Sequence, residues 1–253
     1  MPKAMFRFYE ELNDFLPKQK RKVDFEAAFK WKRSIKDMIE ALGVPHTEID
    51  LILVNGKSKD FSYITQDGDR VSVYPAFESL NIEDVTRLRK IPLRRTKFIA
   101  DIHLGDIVKY MRALGLDVYF DPSLSHRKII EISGRENRII LTRSIKLLKF
   151  REITHGIFVR PGTTERAIIW ILGYLDIKDR VRPFSRCLRC NNLLAPVPKE
   201  RIAERIPPKT KGFCDEYSHC KSCDRIYWKG THFIKMMKVI DRILEHPKPQ
   251  LVI

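Results

Sequence analysis

The chain has 253 residues, 43% hydrophobic and 32% charged, a balance that suits folded domains and excludes a disordered polypeptide. Its net charge of +16 arises wholly beyond residue 80: residues 1–80 hold 13 Lys/Arg against 13 Asp/Glu, residues 81–185 hold 21 against 12, and residues 186–253 hold 14 against 7. A surplus confined to part of a chain points to a polyanionic partner for that part; with no membrane-spanning run, basic amphipathic helix or secretory signal, the expected partner is nucleic acid and the expected place the cytoplasm.

Alternating apolar residues predict strands at Met5–Tyr9 and Val23–Phe29, joined by a polar, basic turn at Pro17–Lys22. Ser34 is a good N-cap for a helix whose Ile35, Met38, Ile39 and Leu42 share one face, and Gly43 ends it. Leu51–Val54 is a short apolar strand running into an Asn55-Gly56 turn, and Asp67-Gly68 marks a turn before Val71–Tyr74. This ββαββ order over residues 4–76 resembles the ubiquitin-like β-grasp of sulfur-carrier proteins. Such carriers end in a Gly-Gly tail, whereas here the strand runs into Pro75-Ala76-Phe77-Glu78 and continues, so a docking module for a protein partner is expected instead of carrier chemistry.

Residues 78–97 read as a linker, and its second half, RLRKIPLRRTK, holds six basic residues and no acid: Arg87, Arg89, Lys90, Arg94, Arg95 and Lys97. It is either a solvated interdomain segment or a phosphate contact, and the basic region that follows favours the latter. From Lys97 onward, strand-length runs (Phe98–Ala100, Asp117–Phe120, Arg138–Thr142, Gly156–Val159) alternate with helical spacing (Leu104–Leu114, Ser125–Gly134, Ser144–Phe150, Thr163–Leu175). That alternation predicts a parallel sheet with right-handed crossovers. Ligands of such sheets gather at the carboxyl ends of the strands, where Asp101, Asp121 and Ser144 stand.

Four of the five cysteines form two knuckles, CLRC (187–190) and CKSC (220–223). Two thiolates three positions apart bite one metal from a tight turn, and two such turns complete a tetrahedron, so Cys187, Cys190, Cys220 and Cys223 are expected to hold a structural zinc. The alternative, two redox dithiols, lacks the helix start that thioredoxin-type motifs use. Cys214 reads as a spare thiol. Between the knuckles lie Lys199, Arg201, Arg205, Lys209 and Lys211, and after them Tyr227-Trp228-Lys229. Aromatics interleaved with cations suit unpaired bases and phosphates, although Tyr227 and Trp228 equally suit covering a small zinc domain. Thr231 is expected to cap a last helix with Ile234, Met237, Ile240 and Leu244 on one stripe.

The stretches FIAD (98–101), YMRALGLDVYFDP (110–122), IILTR (139–143), PFSRCLRCN (183–191), VPKE (197–200) and IYWKGTHF (226–233) together resemble the Mut-seven C-terminal RNase family. In that family a PIN-like nuclease domain is fused to a zinc ribbon, often behind a ubiquitin-like module. The resemblance implies a multi-domain α/β chain: a β-grasp domain at 1–80, a basic linker at 81–96, a PIN-like domain at 97–184 and a zinc ribbon with its helix at 185–253. It also implies strand-end carboxylates holding Mg²⁺ or Mn²⁺ that activates water against a scissile phosphate. Here the family pattern is broken, because Ser144 and His126 stand where acids are usual, leaving Asp101 and Asp121 with Asp106 and Glu131 as helpers. Asp101 also suits a helix cap, Asp121 a turn before proline, and His103 and His126 are ordinary surface histidines as readily as ligands.

The expected function is thus RNA binding on a ribonuclease scaffold with catalysis weakened or lost. The RNA surface combines the linker cations with Arg112, Arg143, Lys199, Arg201, Arg205, Lys209, Trp228 and Lys229, and places the affinity in residues 81–253. Two rivals are a working metal-dependent ribonuclease, and a ribosome-associated scaffold that touches rRNA and a protein.

Overall fold

The computed structural model describes residues 1–75, 97–207 and 212–246. Its contacts divide the chain into two units, Met1–Leu93 with Ser144–Phe158, and Arg94–Arg143 with Val159–Ile253. No helix among the described residues is long and apolar enough to cross a membrane.

In the first unit, strands β1 (Lys3–Phe8), β2 (Phe25–Ala28), β3 (Ile49–Val54), β4 (Lys57–Ser58) and β5 (Arg70–Pro75) form one sheet in the order β2-β1-β5-β3-β4. The β1–β5 pair is parallel and the others are antiparallel. Helix α1 (Ile35–Ala41) buries Ile35, Met38 and Ile39 in one cluster with Phe6, Phe8, Ile52 and Val73, each such side chain contributing about 1.5–3 kcal/mol. The expected cap is present: the Asp37 N–H donates to Ser34 Oγ at 3.1 Å. Gly43 ends the helix at φ +115°, with a Cβ there only 2.9 Å from the Phe15 carbonyl oxygen. The β1–β2 connection is more than the basic turn expected from sequence. A 3₁₀ segment, Glu10–Phe15, buries Leu12 and leads to buried Leu16, and the Asn13 amide holds the crossing by donating to the Phe8 and Glu10 carbonyls.

The second unit opens with β6 (Lys97–Ala100), α2 (Gly105–Ala113), β7 (Asp117–Tyr119), α3 (His126–Glu136) and β8 (Ile139–Thr142). β6 lies between β7 and β8, parallel to both, as the alternation predicted. Phe98, Ile99, Ala100, Ile139, Ile140 and Leu141 are fully buried, the unbroken apolar runs of a parallel sheet covered on both faces. The next segment, carrying α4 (Ile145–Leu148) and β9 (Gly156–Phe158), is grouped with the first unit. There the Phe158 N–H donates to Glu48 at 2.6 Å, Lys149 Nζ to the Glu40 carbonyl at 2.6 Å, and the His46 ring lies 2.6 Å from Glu40 and 2.9 Å from the Ile153 carbonyl. The second unit resumes with α5 (Thr164–Tyr174), a ribbon of β10 (Ala195–Pro196), β11 (Tyr217–His219) and β12 (Ile226–Trp228) paired antiparallel in that order, and α6 (Thr231–Glu245), in which Thr231 is the first helical residue and Gly230, not Thr231, takes the cap position.

Candidate metal centre and nucleic-acid interface

The two knuckles fold alike for a local reason. The residue after each, Asn191 and Asp224, sits in the left-handed region at φ +70° and +58°, which Asn and Asp tolerate better than other side chains. That conformation turns the Asn191 N–H onto the Cys187 carbonyl at 3.0 Å and the Asp224 N–H onto the Cys220 carbonyl at 2.8 Å, closing both turns. The sulfurs are thereby gathered: Cys187 to Cys223 is 3.5 Å, Cys190 to Cys220 is 3.3 Å, and all four lie within 4.8 Å of one another. Zinc–sulfur bonds of about 2.3 Å place tetrahedral sulfurs about 3.8 Å apart, so the four cysteines could hold a metal ion such as zinc.

Burial pushes Cys190 up, but hydrogen bonds from Asn192 outweigh it and bring the thiol down to about 6. Burial and the neighbouring sulfurs push Cys223 up to about 12. Tyr227 belongs to this centre, its hydroxyl 3.0 Å from Cys187 Sγ, which is the covering place rather than the stacking face of the two that its sequence position allowed.

Around the centre runs a joint that sequence reasoning missed. Arg112, 4% exposed, spends its guanidinium on carbonyls: Nε and Nη2 on Val118 at 3.0 and 2.8 Å, and Nη1 on Leu188 and Arg189 at 3.1 and 2.6 Å. It is therefore corrected from a phosphate contact to a tie between α2, the edge strand β7 and the first knuckle. Asp117 accepts from Arg138 at 2.6 Å and Asn191 at 2.8 Å and faces Arg186 at 3.5 Å. Burial raises the Asp117 carboxyl, yet the bonds from Arg138 and Asn191 and their positive neighbours override it and hold it below the ordinary carboxylate range. Gly115, at φ +84°, lets the Arg182 carbonyl approach to where a Cβ would be 2.2 Å away. The only sequence signal was that the motifs YMRALGLD and RCLRCN occur together; here they meet.

Asp101 is 2% exposed and fully engaged. Its Oδ1 accepts the His103 N–H at 3.0 Å, and its Oδ2 accepts the Thr142 hydroxyl and the Arg143 N–H, the latter at 3.3 Å. Asp121 accepts the Ser123 N–H and hydroxyl at 2.9 and 2.6 Å in a local turn, bonds that lower its carboxyl. Asp106 is exposed in the first turn of α2, and Glu131 pairs with Lys128 and Arg135. Ser144 caps α4 by accepting the Leu147 N–H at 3.2 Å, while His103 and His126 are exposed. Among the described residues the cysteines form the single group of three or more His, Cys, Asp or Glu able to share an ion, and the acids form no such set.

Of the expected RNA contacts, Arg87, Arg89, Lys90, Arg94, Arg95 and Lys209 lie outside the described residues. Lys97, Arg143 and Arg201 are exposed. Lys199, Arg205 and Lys229 pair with Asp215, Asp224 and Glu216 at 2.8, 3.0 and 2.6 Å. Such exposed pairs are weakly held in water and yield readily to a phosphate. Trp228 is half-buried against Ile202, Ile206, Cys214 and Tyr217.

The family model described as the Mut7-C RNAse domain matches residues 96–240, and that described as Mut7-C ubiquitin matches residues 1–81. No curated protein and no solved structure matches the chain.

Proposed function

Because the chain belongs to the Mut7-C RNAse family and carries the Mut7-C ubiquitin domain ahead of it, we propose that it binds RNA on a ribonuclease scaffold whose metal-dependent catalysis is weakened or lost. The observation that carries this reading is Asp101, the strand-end acid best placed to hold a divalent cation. Both of its oxygens already accept protein donors, and no second and third acid gather beside it among the described residues. A hard, hydrated ion needs several oxygens to be held against exchange, so these residues do not fit Mg²⁺ or Mn²⁺ tightly. Zinc at the four cysteines is structural in this reading, since four sulfurs leave no open position for water or substrate.

RNA is the partner that the net charge of +16, the ribonuclease-related domain and the exposed Lys97, Arg143 and Arg201 support together. The test is calorimetric titration of Mg²⁺ and Mn²⁺ with a parallel cleavage assay on single-stranded RNA. No tight site and negligible cleavage are expected, and Asp101→Asn lowers stability by about 1–3 kcal/mol without changing RNA affinity. Robust metal-dependent cleavage abolished by Asp101→Asn would show a working nuclease instead.

A further inference from the structure

The first unit has equal numbers of acids and bases over residues 1–80, and that balance hides a local feature. Trp31 is 88% exposed, the most exposed large hydrophobic side chain among the described residues. Its backbone is left-handed, at φ +65°, a conformation that side chains other than glycine rarely adopt. Lys30, Lys32 and Arg33 flank it, all exposed, and Lys36 follows before any acid appears. Among the described residues the side chains of Lys30, Lys32 and Arg33 make no ion pair, in contrast to Lys199, Arg205 and Lys229 on the ribbon.

The tip is held from both sides. Phe29 is buried and its N–H donates to the Pro2 carbonyl at 3.0 Å; Ile35 is buried and its N–H donates to the Tyr63 carbonyl at 2.7 Å; the Arg33 carbonyl accepts the Thr65 N–H at 3.0 Å. An indole kept out of the core by a strained backbone, on an anchored loop and amid unneutralised cations, offers what an unpaired nucleotide needs. That is a stacking face with phosphate partners one or two residues away. A neutral protein partner would use the indole but leave three cations to be desolvated without counter-charge.

We propose that the Lys30–Arg33 loop is a second contact for single-stranded RNA, with a base stacked on Trp31 and phosphates on Lys30, Lys32 and Arg33. This rests on the RNA-binding reading above and gives the ubiquitin-like unit a nucleic-acid role that the charge balance of residues 1–80 concealed.

The experiment uses the full chain and a fluorescein-labelled oligouridylate of about 20 nucleotides, a length that exceeds a single-strand module's site. Trp31→Ala weakens binding roughly five- to hundredfold, and Trp31→Phe restores most of it, because a ring face remains. Lys30→Ala with Lys32→Ala lowers the slope of log affinity against log salt by roughly 1.4. Indole emission is quenched on binding in the parent chain, and that quenching falls in Trp31→Phe. Parent-like RNA affinity in Trp31→Ala overturns the loop's role while leaving the RNA-binding reading intact. A parent chain that fails to bind RNA overturns both. Binding of an acidic peptide that drops in Trp31→Ala, with RNA affinity unmoved, reassigns the loop to a protein partner.

Discussion

Truncating Arg112 to alanine would strip donors from the carbonyls of Val118, Leu188 and Arg189 at once and open a void between α2 and the first knuckle. The expected cost is about 3 kcal/mol, read as a fall in the denaturation midpoint, with RNA affinity of the folded fraction unchanged. An affinity loss at unchanged stability would return Arg112 to the RNA surface. Asp117, on the same joint, gives a pH signature with a definite sign. Its carboxyl is depressed in the folded chain, so its stabilisation is complete above the ordinary carboxylate range and is lost as pH falls through the lower folded value. Asp117→Asn should lower stability near neutrality and flatten the acid limb of the stability–pH curve; an unchanged limb would mean the carboxylate is not linked to folding. The cysteines were legible because a metal demands thiolates at fixed spacing. Arg112 was not, since the side of a helix a cation ends on depends on a ribbon more than seventy residues away.

At the scale of elements, helices announced themselves by caps and periodicity: Ser34, Ser125, Ser144 and Thr163 each accept the backbone N–H three residues on. The ribbon strands did not. β10 has two residues and β11 and β12 have three each, too short for alternation to show, and their pairing follows from knuckles held around the sulfurs. Their order should therefore depend on metal. Stoichiometric zinc, one per chain, is expected by elemental analysis, with tetrathiolate absorption when Co²⁺ replaces it. Because protons compete for the sulfurs, affinity should fall as pH falls. Tyr227→Phe, which removes the hydroxyl beside Cys187, should weaken zinc binding roughly tenfold. A chain that unfolds identically with and without chelator would show that the four sulfurs carry no structural ion. The turn after each element obeys the same local logic: Gly115→Ala places a methyl 2.2 Å from the Arg182 carbonyl at a left-handed position, so a loss above about 2 kcal/mol is expected in thermal unfolding.

Over the whole molecule, regional charge told where the surplus lies but not which cations face a partner. Three ribbon cations are matched by nearby acids, one predicted contact is buried, and an unpaired trio stands within residues 1–80, whose acids and bases balance. Sums over sequence cannot see such pairing, because it depends on which side chains the fold brings within reach. What survives at this scale is a chain with an excess of 16 positive charges displaying cations that a phosphate backbone can displace from weak pairs or meet directly. The most direct measurement is the affinity for single-stranded RNA as a function of salt. The three exposed cations Lys97, Arg143 and Arg201 alone predict a loss of roughly twentyfold between about 50 and about 200 mM monovalent salt, by release of condensed counterions. An affinity that holds constant across that range, or no binding at its low end, would contradict the account.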